Sequence, residues 1–563
     1  MPRAPNSWGA RREPSALDGA VKITGLKDLV SEVSALPPFA SGAPERWAEV
    51  EGSTAAVLAS LPALSHETGG PDALFDFGEA LLRGGDECGA EEVWETLVPQ
   101  ACAADRPDLA AYCAARLSRC ASGLGEIRSA LDWCRQGRRW ARAVPADHPV
   151  HLALMRQRGA INHWRQEGHA ARRTLVAATL LDPSPELTQR WERCTPADLQ
   201  GALYNDLARL ALDRTREERG AQVAQYIDEA RDWTAESMAS TVSAQVWTQA
   251  IALAAEASLC EGDPREARRM VADWRATPPQ PGVSKARFDG VFLHLDALAA
   301  LAEHDLGGAR KVAGQAFRAV PAAGDPDLER VIVRNLVRLF IRDHEERYSG
   351  HRESTVLRTL DAGGSWILEL VAFAESRDRY LPGHHGRMVR TACMALCPPV
   401  EERDRAGLPE DLGMDYLLGA ASLHDIGKLE LAWPLLNRVR PLGGRQRERL
   451  RAHAPNGTRL LESLGFPMAA RIVEEHHERA DGKGYPNGTK TQTPAGGLLA
   501  LAEVLVTRAQ RSELAPRPEA LTQSVRWCLN QGRRRFQPHA LLALRYAMQS
   551  GHLSPLAAAL HKA

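Results

Sequence analysis

The stretch LLGAASLHDIGKLEL, residues 417–431, decides how this chain folds and where its chemistry lies. Small and apolar residues fill LLGAASL without a break, the composition of a helix held wholly inside a protein. His424 and Asp425 follow directly, so that helix delivers two polar groups to the interior. A buried imidazole and carboxylate need a compensating partner, and a metal ion is one such partner. His-Asp pairs are cheap in a chain with 18 histidines. His304-Asp305 is another, but AEHDLGGARKV brings no further ligand-type residues and reads as a solvated turn.

Working outward, the companions of His424-Asp425 accumulate. ESRDRYLPGHHGRMV carries His384 and His385, RLRAHAPNGTRLLESLG carries His453, and EEHHERADGKGYP carries His476 and His477. Imidazole and carboxylate together suit divalent iron, manganese or zinc, and five or more such ligands exceed what one tetrahedral ion takes. Two metals are the natural reading. An aspartate directly after a histidine can bridge them while the histidine binds one.

The order and spacing of these pieces resemble the HD-GYP family, a branch of the HD phosphohydrolases that hydrolyse the bacterial second messenger cyclic di-GMP. The resemblance runs from about residue 368 to 550 and rests on four motifs: Gly383-His384, His424 to Lys428, His453 to Gly457, and the uninterrupted HHExxDGxGYP from His476 to Pro486. It implies metal ligands at His384, His424, Asp425, His453, His476 and His477, and two divalent ions, iron or manganese. His385 stays outside that set, because His384 has the preceding glycine and Arg387 three residues on, as the family does. The resemblance further gives Asp425 and Lys428 catalytic roles, with Lys428 holding a substrate phosphate, and makes Gly484, Tyr485 and Pro486 the signature loop that shapes the pocket entrance. Some members take a third ion through a glutamate four residues before the first histidine. Tyr380 stands there in this chain, which favours two.

The pattern departs from the family in three places. In LLALAEVLVTRAQRS, Glu503 replaces the aspartate that usually supplies the last ligand, and Val506 replaces a second aspartate. Glutamate keeps the carboxylate on a longer stem, so Glu503 is expected as a ligand on a helix set slightly farther back. Arg438 in NRVRP stands for a family lysine, and Arg511 in TRAQRSELAPRPEAL for a shifted arginine. With Tyr485 and Lys428 they form the expected substrate contacts, and arginine adds a planar fork toward phosphate or guanine.

The rest of the chain is poorer in chemistry. Its 563 residues exceed one ordinary core, so more than one domain is expected. Apolar residues make up 44% and charged residues 25%, which excludes wholesale disorder, and a net charge of −1 argues against a polybasic surface for nucleic acid or membrane. With no apolar run of membrane length and no leader-like start, the expected location is cytoplasmic. The ten cysteines lack a CxxC and read as reduced. From about 46 to 345 the apolar spacing is helical. EGDPREARRMV and AEHDLGGARKVAGQAF share a turn and an alanine six residues after the glutamate, Ala267 after Glu261 and Ala309 after Glu303, with EGHAARRTLVA a weaker copy. Such hairpins resemble tetratricopeptide repeats.

The expected protein is therefore all-α: a mobile lead-in over 1–45, a repeat solenoid over 46–345, a linker over 346–365, and an all-helical metal-dependent hydrolase over 366–563. The leading function is hydrolysis of cyclic di-GMP to pGpG and GMP by a dinuclear-metal hydroxide, regulated by a protein partner on the repeats. A non-hydrolysing scaffold that binds cyclic di-GMP or a partner, and a phosphohydrolase of another nucleotide, stay open. So does a homodimer.

Overall fold

The computed structural model describes residues 23–36, 44–64, 69–124, 126–215, 221–277, 285–319, 332–333, 336–337, 341, 350–359, 366–378, 384–438, 441–510 and 517–562. Tyr380, Gly383, Arg511 and most of the 1–45 lead-in lie outside these residues. The chain divides into two compact units, Met1–Leu336 and Val337–Ala563. Among the described residues both are built from helices and turns, with no strand.

The N-terminal unit is a succession of antiparallel helical hairpins whose joints repeat one device. After Glu87–Ala103, Ala244–Glu261 and Lys285–Ala302, a residue near the helix end turns left-handed: Asp105 at φ 52°, Gly262 at φ 93° and His304 at φ 62°. The next N–H then bonds the carbonyl five residues back: Arg106 to Ala101, Asp263 to Ser258 and Asp305 to Ala300, each at 2.9 Å. This is the Schellman closure of a helix end. Asp263 and Asp305 go on to cap the following helices, accepting from Glu266 N at 3.0 Å and Gly308 N at 2.9 Å. The His304-Asp305 pair is thus a turn and a cap. Ala267 and Ala309 are both buried just inside the capped helices, where a small side chain lets neighbouring helices close up.

In the C-terminal unit the Met414–Leu423 helix is the centre. It lies against His385–Leu396, Pro467–Glu475 and Pro494–Gln510, and Leu417 and every residue from Gly419 to Leu423 are buried. At its end the chain tightens into a 3₁₀ turn, Ile426–Glu430, seated on the His453–Ser463 helix. Within the span read as a linker, Glu353–Thr359 is helical and packs on this unit. Glu353 accepts the N–H groups of Met468 and Ala469 at 3.2 and 2.9 Å, capping the Pro467–Glu475 helix, and Leu357 sits on Gly419.

Candidate metal centre

Three histidines enter the centre in the same way, each at or next to a helix end. His424 follows the Met414–Leu423 helix, His453 opens His453–Ser463, and His476 follows Pro467–Glu475. Each points Nδ1 at the carbonyl three residues back: His424 to Ala421 at 2.9 Å, His453 to Leu450 at 2.7 Å, and His476 to Val473. Such a bond requires Nδ1–H, so the lone pair stays on Nε2. Burial pulls all three imidazoles down to about 4, which keeps them neutral.

Those lone pairs converge. His453 Nε2 lies 3.3 Å from His476 Nε2 and 3.0 Å from His477 Nε2. Donor atoms of His453, His476 and His477 form one buried set within 4.8 Å of one another, and those of His385, His424 and Asp425 form a second. Asp425 joins the two. Its Oδ2 is 3.4 Å from His424 Nε2, and its Oδ1 is 3.8 Å from His453 Nε2. Burial alone would raise this carboxyl, but Lys428 and the surrounding imidazoles hold it well below the ordinary carboxylate range.

The residues fit divalent ions. The buried Nε2 atoms of His384 and His424 find no hydrogen-bond partner among the described residues, and neutral imidazoles with a carboxylate between them are a nitrogen and oxygen donor set of the right chemistry. The sequence reading left His385 aside. The structure nevertheless puts it in a donor set: its Nδ1 meets Gln510 Oε1 at 2.8 Å, which leaves Nε2 as its free donor, and its ring centroid lies 5.4 Å from that of His424. His384, at the cap of the His385–Leu396 helix, stands outside both sets.

Glu503 also stands outside both sets. Its Oε2 is 3.5 Å from His477 Nδ1, so its carboxylate faces the back of a histidine whose other nitrogen points to the centre. Lys428 is buried between carboxylates, 2.9 Å from Asp425 Oδ2 and 3.0 Å from Asp378 Oδ2. Burial opposes its charge, yet the two carboxylates lift its pKa above the ordinary lysine value. Arg438 is buried as well.

The signature loop folds against the His453, His476 and His477 set. The Tyr485 ring stacks on His477 with centroids 4.6 Å apart, its N–H donates to the His477 carbonyl at 3.2 Å, and the Arg451 guanidinium lies 5.2 Å from the ring centre. Gly484 is required there, because a Cβ would come within 2.5 Å of Glu478 Cα and Arg479 N. Tyr485-Pro486 is a cis peptide. Glu478 Oε1 accepts the N–H groups of Asn487 and Gly488 at 2.6 and 3.0 Å and so closes the loop.

Sequence reasoning missed four neighbours of the centre: Glu375, Arg377 and Asp378 at the end of the Trp366–Ser376 helix, and Gln510. Glu375 accepts Gly386 N at 2.5 Å, and burial pushes its pKa up to about 7. A cluster of charged residues immediately after the apolar run WILELVAFA was the available signal.

Comparison with known proteins gives the class. The HD domain family matches residues 405–539. A 3'3'-cGAMP-specific phosphodiesterase of Vibrio cholerae is 31% identical over 137 residues, 24% of this chain and 27% of the relative. A cyclic di-GMP phosphodiesterase of Thermotoga maritima is 31% identical over 129 residues, 21% of this chain and 35% of the relative. Another, from Pseudomonas aeruginosa, is 40% identical over 84 residues, 14% of this chain and 20% of the relative. The chain thus matches between a fifth and about a third of the length of these curated relatives. The C-terminal unit carries an HD domain. Its uninterrupted HHExxDGxGYP run makes that domain one of the HD-GYP type. No helix among the described residues is long and apolar enough to cross a membrane.

Proposed function

We propose that the C-terminal unit is a metal-dependent phosphodiesterase of cyclic dinucleotides, with cyclic di-GMP as substrate and pGpG, then GMP, as products. The observation that carries this reading is the pair of donor sets with Asp425 between them, one carboxylate oxygen toward each. His424, His453, His476 and His477 would hold two divalent ions, iron or manganese, with His385 or His384 completing the set that contains His424 and Asp425. Bound there, such ions supply a nucleophile from water at neutral pH and neutralise charge on the phosphoryl oxygens. The chain's own part is to present neutral imidazoles, to keep Asp425 ionised, and to shape the entrance with the Tyr485 loop. Lys428 acts first on Asp425, to which it is bonded, and only through it on substrate phosphate. Glu503 would support His477 from behind or help hold the ion at the His453, His476 and His477 set. The substrates for which the relatives are named support a cyclic dinucleotide and leave guanine against adenine as the specificity question.

The test is purified full-length protein with Mn²⁺ or Fe²⁺, incubated with cyclic di-GMP and with 3'3'-cGAMP, and product chromatography. Appearance of a linear dinucleotide from either supports the reading, and turnover of neither refutes it. Tight binding without turnover would instead favour the scaffold reading, which the position of Glu503 outside both donor sets supports. For the N-terminal unit we propose a regulatory role through a protein partner on its helical hairpins.

A further inference from the structure

We propose that Arg377 is a positioning residue of the centre: from outside the donor sets, its guanidinium fixes the turn that presents Asp425 and Lys428. The inference concerns the site of the proposed phosphodiesterase and depends on that reading only where turnover is measured.

The Ile426–Glu430 turn is a short 3₁₀ segment, a geometry with poor internal hydrogen bonds, and of the carbonyls at its end that of Lys428 accepts one such bond, from Leu431 N at 3.2 Å. Those carbonyls are buried, and Arg377 takes three of them. One terminal nitrogen donates to Lys428 O at 2.7 Å and Leu429 O at 2.8 Å, and the other to Leu431 O at 2.7 Å. The guanidinium is itself buried, with Arg377 2% exposed. A charge in that position is costly unless its donors are well used, and a rigid planar fork is what meets three carbonyls at once.

Its neighbours act in the same direction. The Arg377 carbonyl accepts Asn437 Nδ2 at 2.6 Å, which ties down the chain beyond the turn. Asp378 holds Lys428 Nζ at 3.0 Å, and Glu375 holds the Gly386 N–H in the first turn of the helix that follows His384. One helix end therefore grips the turn after Asp425, the lysine bonded to Asp425, and the segment bearing the first histidines. Lysine at 377 would keep the charge but lose the fork.

The experiment compares Arg377→Lys with wild type in the full-length, Mn²⁺-loaded protein. Amide exchange by mass spectrometry is read in a peptide covering 426–431 and in a reference peptide within the Pro494–Gln510 helix. Mn²⁺ affinity and, with cyclic di-GMP, kcat and KM are read alongside. Exchange at 426–431 is expected to speed up about tenfold with the reference unchanged, and Mn²⁺ binding to weaken about 10- to 100-fold, the range for lost support of a ligand. The kcat should fall by a similar factor while KM stays within about twofold. Unchanged exchange at 426–431 overturns the proposal, and so does an equal loss of protection in both peptides. If Arg377→Lys does not fold, Asn437→Ala releases the same segment more gently. A smaller change confined to 426–431 is then expected, and none overturns the proposal. Should wild type bind Mn²⁺ but hydrolyse no cyclic dinucleotide, the phosphodiesterase reading fails while the exchange and metal measurements still decide the role of Arg377.

Discussion

Replacing Gly427 by alanine should disable the centre, whereas the same change at Gly457, its partner across the contact, should be tolerated. A Cβ on Gly427 would stand 1.9 Å from the His453 carbonyl oxygen and 2.4 Å from Gly457 N. Relaxed contacts lie near 3.5 Å, so one backbone must give by about 1.5 Å. Neither can do so without moving a donor, since Asp425 is two residues away on one side and His453 supplies the carbonyl on the other. Overpacking a closed core costs about 1–3 kcal/mol, and the upper end applies because the obstruction is backbone. At about 2–4 °C per kcal/mol for a domain of roughly 150–250 residues, Tm should fall by about 6–12 °C. On Gly457 a Cβ would meet Gly427 N at 3.4 Å and Val473 Cγ1 at 3.5 Å, ordinary contacts. Gly457 lies inside the His453–Ser463 helix, where alanine is favoured over glycine by about 0.5–1 kcal/mol, so this variant should be neutral or slightly stabilised. Calorimetry of both metal-free variants, with Mn²⁺ stoichiometry by emission spectroscopy, decides the matter. Equal losses in the two, or a Gly427→Ala protein with wild-type Tm and full metal, would refute the reasoning.

Substituting both His424 and Asp425 by alanine should strip the metals and abolish hydrolysis, and two equivalents retained in emission spectroscopy would show the assignment to be wrong. Glu503→Gln should weaken one ion and cut turnover by about tenfold or more, whether the carboxylate ligates or orients His477; full metal content with full activity would count against both roles. Metal-free protein should lose stability as pH falls from about 6.5 toward about 4. His424, His453 and His476 titrate near 4 when folded and near the ordinary imidazole value when unfolded, so the unfolded chain binds more protons across that window and stability rises with pH. Glu375, raised to about 7, and Glu353, also raised by burial, work the other way, against these three and the likewise depressed His385 and His477. A Tm that stays flat between pH 7 and pH 5 would contradict this balance.

How much of this was legible depended on whether the deciding partner was near in sequence. HHERADGKGYP could be read as it stands, because its glycine and its histidines meet locally: Gly484 is pressed against the backbone of residues 477–479. The Met414–Leu423 helix was legible for a similar reason, since an apolar run that ends in His-Asp states its burial outright. Arg377 was not. Charged residues at a helix end are usually solvated, and the groups that bury Glu375, Arg377 and Asp378 lie 11, 51 and 50 residues away. Lys428 illustrates the same limit, because its charge was plain while Asp378, which with Asp425 occupies it, was out of reach of any local pattern. The choice between His384 and His385 was hard to read for a different reason. Successive residues on a helix point about 100° apart, so the residue at which the helix begins decides which ring turns inward, and helix boundaries are uncertain by one or two residues. Here the helix runs His385–Leu396, which leaves His384 in the cap and gives His385 the Gln510 oxygen behind it and His424 beside it. Which of the two rings turns toward His424 therefore hangs on a helix start, and the side chain bonded to His385 comes from the far end of the Pro494–Gln510 helix, 125 residues on.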